Sequence, residues 1–239
     1  MMFAAAVVAG VLAGLALVRR VVYRTPAIVV ILDPAENTVV DRATGAVTSI
    51  QAAEVTLPAE TLESIWTPTY LERLARTYWR FLTRFTLGFV RVYYTDTGRS
   101  VCLLSRRLPL LTFAKPEYEM DRERGIVRWR IEKGVLVAPR YRGHGHLQLD
   151  VQRRPPPGAG RGRVYVEVEV ANFYPALAFG ISQWFYKNTQ SRIHVLATHG
   201  FLRSLKKMKL AESRVGKLAE LTVDQVPDPP PAPREYVAA

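Results

Sequence analysis

The first eighteen residues, Met1 to Val18, carry no charge, and Arg19, Arg20 and Arg24 come directly after them. As a helix rising 1.5 Å per residue this segment is about 27 Å long, close to the roughly 30 Å apolar core of a bilayer. Val21, Val22 and Tyr23 extend it while the arginines snorkel to the headgroups. Residues 1–24 are therefore expected to form a single transmembrane anchor. A cleaved secretory signal is the competing reading. Such signals begin with a basic region and end in a small-residue cleavage site. Here no basic residue precedes the apolar run, and arginines stand where the site would be. Lysine and arginine beside a span favour the cytoplasmic side. All such charge lies C-terminal to the span, so the bulk of the chain is expected at the cytoplasmic face of the cell membrane. Ala6, Gly10 and Gly14 recur at four-residue spacing, which makes a homodimer through that small-residue face a candidate.

The chain beyond the anchor is long enough for one domain with its own core. Nearly half the chain is hydrophobic, which argues against wholesale disorder. A formal net charge of +12 raises nucleic acid or anionic lipid as partners. The basic residues are dispersed in small groups (Arg106–Arg107, Arg153–Arg154, Arg161–Arg163, Lys206–Lys209) and spell no nucleic-acid module. Anionic headgroups are the more economical partner. The one cysteine, Cys102, sits in the apolar run Val101–Leu104 and reads as a buried small hydrophobe.

Residues 25–47 read as a linker with a short strand, Ile28–Leu32, stopped by Asp33-Pro34. A strand from Ser49 to Leu57 leads into Pro58-Ala59-Glu60, a helix start with proline in the first turn. Leu62, Ile65 and Trp66 share one helical face. After Pro68 a second helix is predicted from Thr69 to Thr86, with Leu71, Leu74, Tyr78, Phe81, Leu82 and Phe85 at three-four spacing. From Phe89 the period becomes two. Strands are predicted over Phe89–Thr95, Ser100–Leu104, Leu110–Met120, Gly125–Ala138, His144–Arg153 and Val164–Ala171. In the last, Val164, Val166, Val168 and Val170 alternate with Tyr165, Glu167 and Glu169, one face buried and one wet. A long helix is predicted from Pro175 to Met208, kinked at Gly200. Residues 211–239 are a proline-rich tail expected to be unstructured.

This α+β order resembles the helix-grip fold of the START and polyketide-cyclase superfamily, also called SRPBCC: a strand, two helices, about six antiparallel strands and one long C-terminal helix. The resemblance covers residues 48–210. It is carried by Ser49-Ile-Gln-Ala-Ala-Glu-Val-Thr-Leu-Pro-Ala-Glu-Thr-Leu-Glu-Ser-Ile-Trp66 and by Val164–Val170 feeding into the long helix. A cone-shaped NTF2-like domain is the alternative, although it lacks the C-terminal helix. The resemblance implies a curved sheet gripping the last helix, with a cavity between them for a lipid, sterol, quinone or polyketide.

Candidate pocket residues emerge from the alternation and the helix stripe: Trp129, Val166 and Val168 on strands; Leu177, Ile181, Trp184 and Phe185 on the helix. Asn188 and Arg192 continue that stripe as polar groups suited to a ligand headgroup. Simple core packing is the competing account of such a stripe. His144 and His146 make an incomplete metal site, and His194 and His199 do not converge on a helix. Glu167 and Glu169 should point outward, pairing across strands with Arg128 or Arg130. No nucleophile motif, phosphate loop or dinucleotide fingerprint is present, so neither catalytic residues nor a metal or cofactor are assigned. The leading expectation is a membrane-anchored protein that binds a hydrophobic ligand. A cyclase- or hydratase-like enzyme using Arg192 and Tyr165, and a ligand-free interaction scaffold, are the alternatives.

Overall fold

The computed structural model describes residues 27–32, 38–95, 98–176 and 191–213, the side chains of 191–194 excepted. The expected anchor and homodimer face, the tail beyond 213, and the stripe from Leu177 to Asn188 lie outside them. Among the described residues no helix is long and apolar enough to cross a membrane.

Ten strands form one antiparallel sheet. They are β1 (Ile28–Leu32), β2 (Thr38–Val40), β3 (Val47–Pro58), β4 (Val90–Tyr94), β5 (Gly98–Leu103), β6 (Pro109–Ala114), β7 (Glu117–Met120), β8 (Arg124–Lys133), β9 (His146–Arg154) and β10 (Arg161–Phe173). The order across the sheet is β1-β3-β10-β9-β8-β6-β5-β4, with β2 on β3 and β7 on β8. Three helices are described: α1 (Ala59–Ile65), α2 (Pro68–Phe85) and α3 (Ser191–Ser204), the last leading into a 3-10 turn, Leu205–Lys207. The chain thus has a large antiparallel sheet, two helices after its long early strand and one helix after the last strand. That is a helix-grip arrangement.

The helices start where local chemistry allows. The Thr67 hydroxyl accepts the Tyr70 N–H and Pro68 occupies the first turn, where its missing donor costs nothing. The inner face of α2 then buries Leu71, Ala75, Tyr78 and Trp79. On the sheet, the register places Val164, Val166 and Val168 beside Val55, Ala53 and Gln51 on one side and beside Val151 and Leu149 on the other. One sheet face is thereby apolar and lies under the helices.

Three expectations need correction. The strand predicted over Leu110–Met120 is two strands, since Pro116 stands in the break between β6 and β7 and offers no ladder donor. The strand predicted to reach Ala138 ends at Lys133. Gly134 takes φ +144° there, and a Cβ on it would meet the Leu110 carbonyl oxygen at 2.2 Å. Helix α3 passes through Gly200 without a break, and a Cβ at that position would meet the Phe81 ring at 2.7 Å. Close packing, not a kink, accounts for that glycine. The short strand expected over Ile28–Leu32 is β1, and it pairs with β3, as does β2 across the turn that joins it to β3.

Candidate ligand cavity

The helix-covered face has two differently built ends. Near the middle of α2, Trp79 packs edge-on against Trp129 and Phe113, with ring centroids 5.3 and 5.2 Å away. Tyr78 meets both Trp79 and Phe201 of α3 in the same manner, at 5.2 and 5.3 Å. All five rings are buried. Interlocked aromatic edges of this kind fill space at interior packing density.

Toward the start of α2 the packing is aliphatic, and a cavity of about 80 Å³ remains, open on one side. Its floor is Val55, Leu57, Val151, Val164 and Val166 from the sheet. Leu62, Ile65 and Trp66 of α1 and the adjoining segment, with Leu71 and Leu74 of α2, form one wall. Met120 and Gly125 form a second, and Leu205, Met208 and Leu210 close the third side. Apart from Thr67 and Tyr70, the lining side chains are apolar.

Named contacts hold these walls. The Trp66 indole N–H donates to the Asp121 carbonyl at 2.9 Å, and the Arg153 guanidinium lies over its ring at 4.6 Å. Arg153 is in turn clamped by both Glu63 carboxylate oxygens, at 2.6 and 2.9 Å, which holds the Glu63 carboxyl below its ordinary range. The strap after α3 is fixed to α2 by two bonds. Arg73 Nε donates to the Ala211 carbonyl at 3.0 Å, and the Ala211 N–H donates to the Thr77 hydroxyl at 2.8 Å. Two methionines, Met120 and Met208, sit in the lining, where an unbranched thioether adapts to an irregular guest.

A polar cluster adjoins the cavity. Tyr118 and Met120 stand two residues apart on β7, so their side chains share a face about 7 Å apart. Tyr118 hydrogen-bonds Arg99, a buried arginine whose guanidinium lies 5.1 to 5.6 Å from the ring centroids of Tyr94, Trp79 and Trp129. The Arg99 Nε has no hydrogen-bond partner, and burial pushes this guanidinium below its usual pKa range. Nearby, the buried Glu72 bonds Arg76 Nε at 3.1 Å through one oxygen and leaves the other unpaired. Across the sheet, the buried Gln51 leaves both its amide atoms without partners.

Of the residues named from the sequence, Val166 lines the cavity. Trp129 lies in the aromatic cluster, and Val168 is buried opposite Gln51 and Leu149. Arg192 belongs to α3, with its side chain outside the described ones. Leu177, Ile181, Trp184, Phe185 and Asn188 lie outside the described residues. Tyr165, Glu167 and Glu169 alternate with the inner valines and face the outer surface, as expected. Their partners differ from those expected. The Tyr165 hydroxyl donates to Glu167 at 2.5 Å and Glu169 lies 3.9 Å from His146, while Arg128 bonds Gln148 and Arg130 bonds Glu117. Tyr165 is therefore turned away from the cavity. Sequence reasoning missed the α1–α2 wall, although Leu62, Ile65 and Trp66 were visible as one helical face. It also missed Arg99, whose inward direction needed the register beside Phe113.

No protein-family model and no curated protein matches the chain. Solved structures that it is similar to include an uncharacterised protein of Bacillus thuringiensis, at 13% identity and TM-score 0.33, covering 66% of this chain and 97% of that one. Norcoclaurine synthase from Thalictrum flavum is similar at 12% identity and TM-score 0.31, covering 67% and 87%. The human StAR-related lipid transfer protein 5 is similar at 12% identity and TM-score 0.30, covering 73% and 88%. Strand order and helix placement, rather than these scores, carry the helix-grip reading of the fold.

Proposed function

We propose that this chain is a membrane-anchored binding protein for a hydrophobic ligand of the lipid, isoprenoid or quinone class, held at the cytoplasmic face. The observation that carries the reading is the cavity with its nearly unbroken apolar walls. A void of that character excludes water and favours an apolar guest. Its position supports the anchored version. Ile28 pairs with Thr56, next to Leu57 in the cavity floor, so the chain enters the sheet at the cavity's end. A span preceding Ile28 would deliver a bilayer-dissolved molecule close to the opening.

Size restricts what the described walls take. Pockets for whole ligands run from about 300 to 1,000 Å³, and a cavity of about 150 Å³ accepts one benzene. At about 80 Å³ the walls seat the end of a chain, not an entire sterol. The remainder of a longer guest leaves by the open side. Each buried methylene contributes about 0.8 kcal/mol, so a few seated carbons hold a guest reversibly.

The test is retention. The full chain, purified in mild detergent and extracted with organic solvent, is expected to release one class of apolar-chained molecule in near-constant ratio to protein, identified by mass spectrometry. Extracts that contain only detergent and bulk membrane lipid in membrane proportions contradict the proposal.

A further inference from the structure

Two loops meet at one corner of the molecule and expose what most chains bury. The first joins α2 to β4 through Thr86–Phe89, and the second joins β5 to β6 through Leu104–Leu108. The Leu104 N–H donates to the Phe89 carbonyl at 2.7 Å, and Val90 pairs with Leu103, so the loops form one tip. Leu87 is 86% exposed, and Phe89 and Leu104 are each more than half exposed. Phe85 and Leu108 flank them, at 41% each. Leu87 and Leu104 also sit in left-handed backbone, at φ 52° and 60°. That conformation costs a branched apolar residue about 1–2 kcal/mol. Glycine or asparagine would relieve the strain, and a polar residue would relieve the exposure. Neither remedy is used at either position.

The charge around this tip has one sign. Arg84, Arg91, Arg106 and Arg107 are exposed around the apolar side chains. From Phe81 to Ala114 the only acidic residue in the sequence is Asp96, two positions past the last residue of β4. Among the described residues none of these four arginines pairs with a carboxylate. Arg91 Nε donates to the Gly88 carbonyl, and Arg106 lies over the Tyr93 ring, which keeps both charges against the loops. Leucine and phenylalanine inside an arginine ring match a lipid interface, with acyl chains for the one and anionic headgroups for the other. A protein groove would need carboxylates on its rim to match the same ring.

We infer that the tip formed by Leu87, Phe89, Leu104 and Leu108 docks on an anionic lipid surface, its leucines entering the acyl boundary and its arginines meeting the headgroups. This contact is separate from the N-terminal segment. Along the register from Val47–Phe173 through Arg130–His146 and Phe113–Ile131 to Val90–Leu103, the tip lies at the end of the sheet where β3 begins. The chain enters at the opposite end, where Ile28 meets Thr56. The docking does not depend on the cavity holding any ligand.

The probe is an environment-sensitive fluorophore on Leu87→Cys in the full chain, with the buried Cys102 changed to serine. The labelled chain is reconstituted with vesicles of phosphatidylcholine alone, or of phosphatidylcholine with one-third phosphatidylserine. The N-terminal segment is taken up by both, so only the difference between them reports the tip. The emission is expected to shift to the blue, and a lipid-borne quencher to reach the probe, only with phosphatidylserine. Arg84→Gln, Arg106→Gln and Arg107→Gln together should weaken that component about a hundredfold, at about 1 kcal/mol per arginine. Raising salt on the unsubstituted arginines should abolish it as well, which covers a triple variant that fails to fold. Equal emission with both vesicle types overturns the inference. A blue shift that grows with protein concentration in the absence of lipid overturns it too, and assigns the tip to a second copy of the chain.

Discussion

The two ends of the helix-covered face start from the same pattern, alternating inward side chains under α2, yet one is solid and the other is hollow. At the solid end the inward residues are Trp79, Phe113 and Trp129, flat rings meeting edge to face. At the hollow end they are Val151, Val164, Val166, Leu62 and Met208, and one inward position is a glycine. A Cβ on Gly125 would meet the Leu71 side chain at 3.2 Å, so that position holds α2 close without adding bulk. Alternation decides which face is buried, whereas side-chain size and shape decide whether burial leaves room. Rigidity goes with the aromatic end and capacity with the aliphatic end.

The largest expected effect belongs to the solid end. Trp129→Ala removes the ring that closes on Trp79 and should cost about 3–5 kcal/mol of stability. Met208→Ala, at the half-buried rim of the hollow end, should cost at most about 2 kcal/mol while changing ligand retention. Chemical denaturation of both variants beside the parent chain checks the contrast. Equal losses would mean that the two ends are packed alike.

A smaller effect separates the inner face from the outer one. Burial holds the Glu167 carboxyl above its ordinary 4.5, with Asp150 and Glu169 adding to it against the Tyr165 hydrogen bond. The native state therefore binds this proton more tightly than the unfolded state. Stability falls as pH rises from about 4.5 through the native value, and stays lowered above it. Glu167→Gln should flatten that decline and raise the unfolding midpoint at neutral pH, with an amide oxygen still available to Tyr165. Because Glu167 faces away from Val166, ligand retention should not change. Thermal melts across pH 4 to 8 read the first expectation, and a loss of retention would break the second.

Much of the scaffold was legible because it rests on local rules. The valine alternation of β10, the proline-started helices and the outward glutamates all come from period and turn chemistry. Pro116 splitting a strand was also written in the sequence, and was outweighed by the apolar run around it. The cavity was not legible. Trp129 and Gly125 share one strand face at even spacing, and only the helix above tells which of them meets a ring and which leaves a gap. Arg99 was hidden for a related reason. Its burial depends on the register with Phe113 and on three aromatic rings from separate elements. The exposed tip obeys neither period, since it arises from two left-handed leucines on loops joined by the Leu104–Phe89 backbone bond and the Val90–Leu103 pairing.

Whether the hollow end receives an apolar chain while the solid end does not can be read by photolabelling. A long-chain fatty acid with a diazirine near its terminal methyl is added to the full chain, irradiated, and the labelled peptides are sequenced. Adducts are expected on the segments that carry Leu62 to Leu74 and Leu205 to Leu210, and none on those that carry Phe113 or Trp129. Leu210→Trp, which places a large ring at the half-buried rim, is expected to remove the adducts without unfolding the protein. Labelling spread over both ends, or labelling at the hollow end that survives Leu210→Trp unchanged, would contradict the division into a solid and a receiving end.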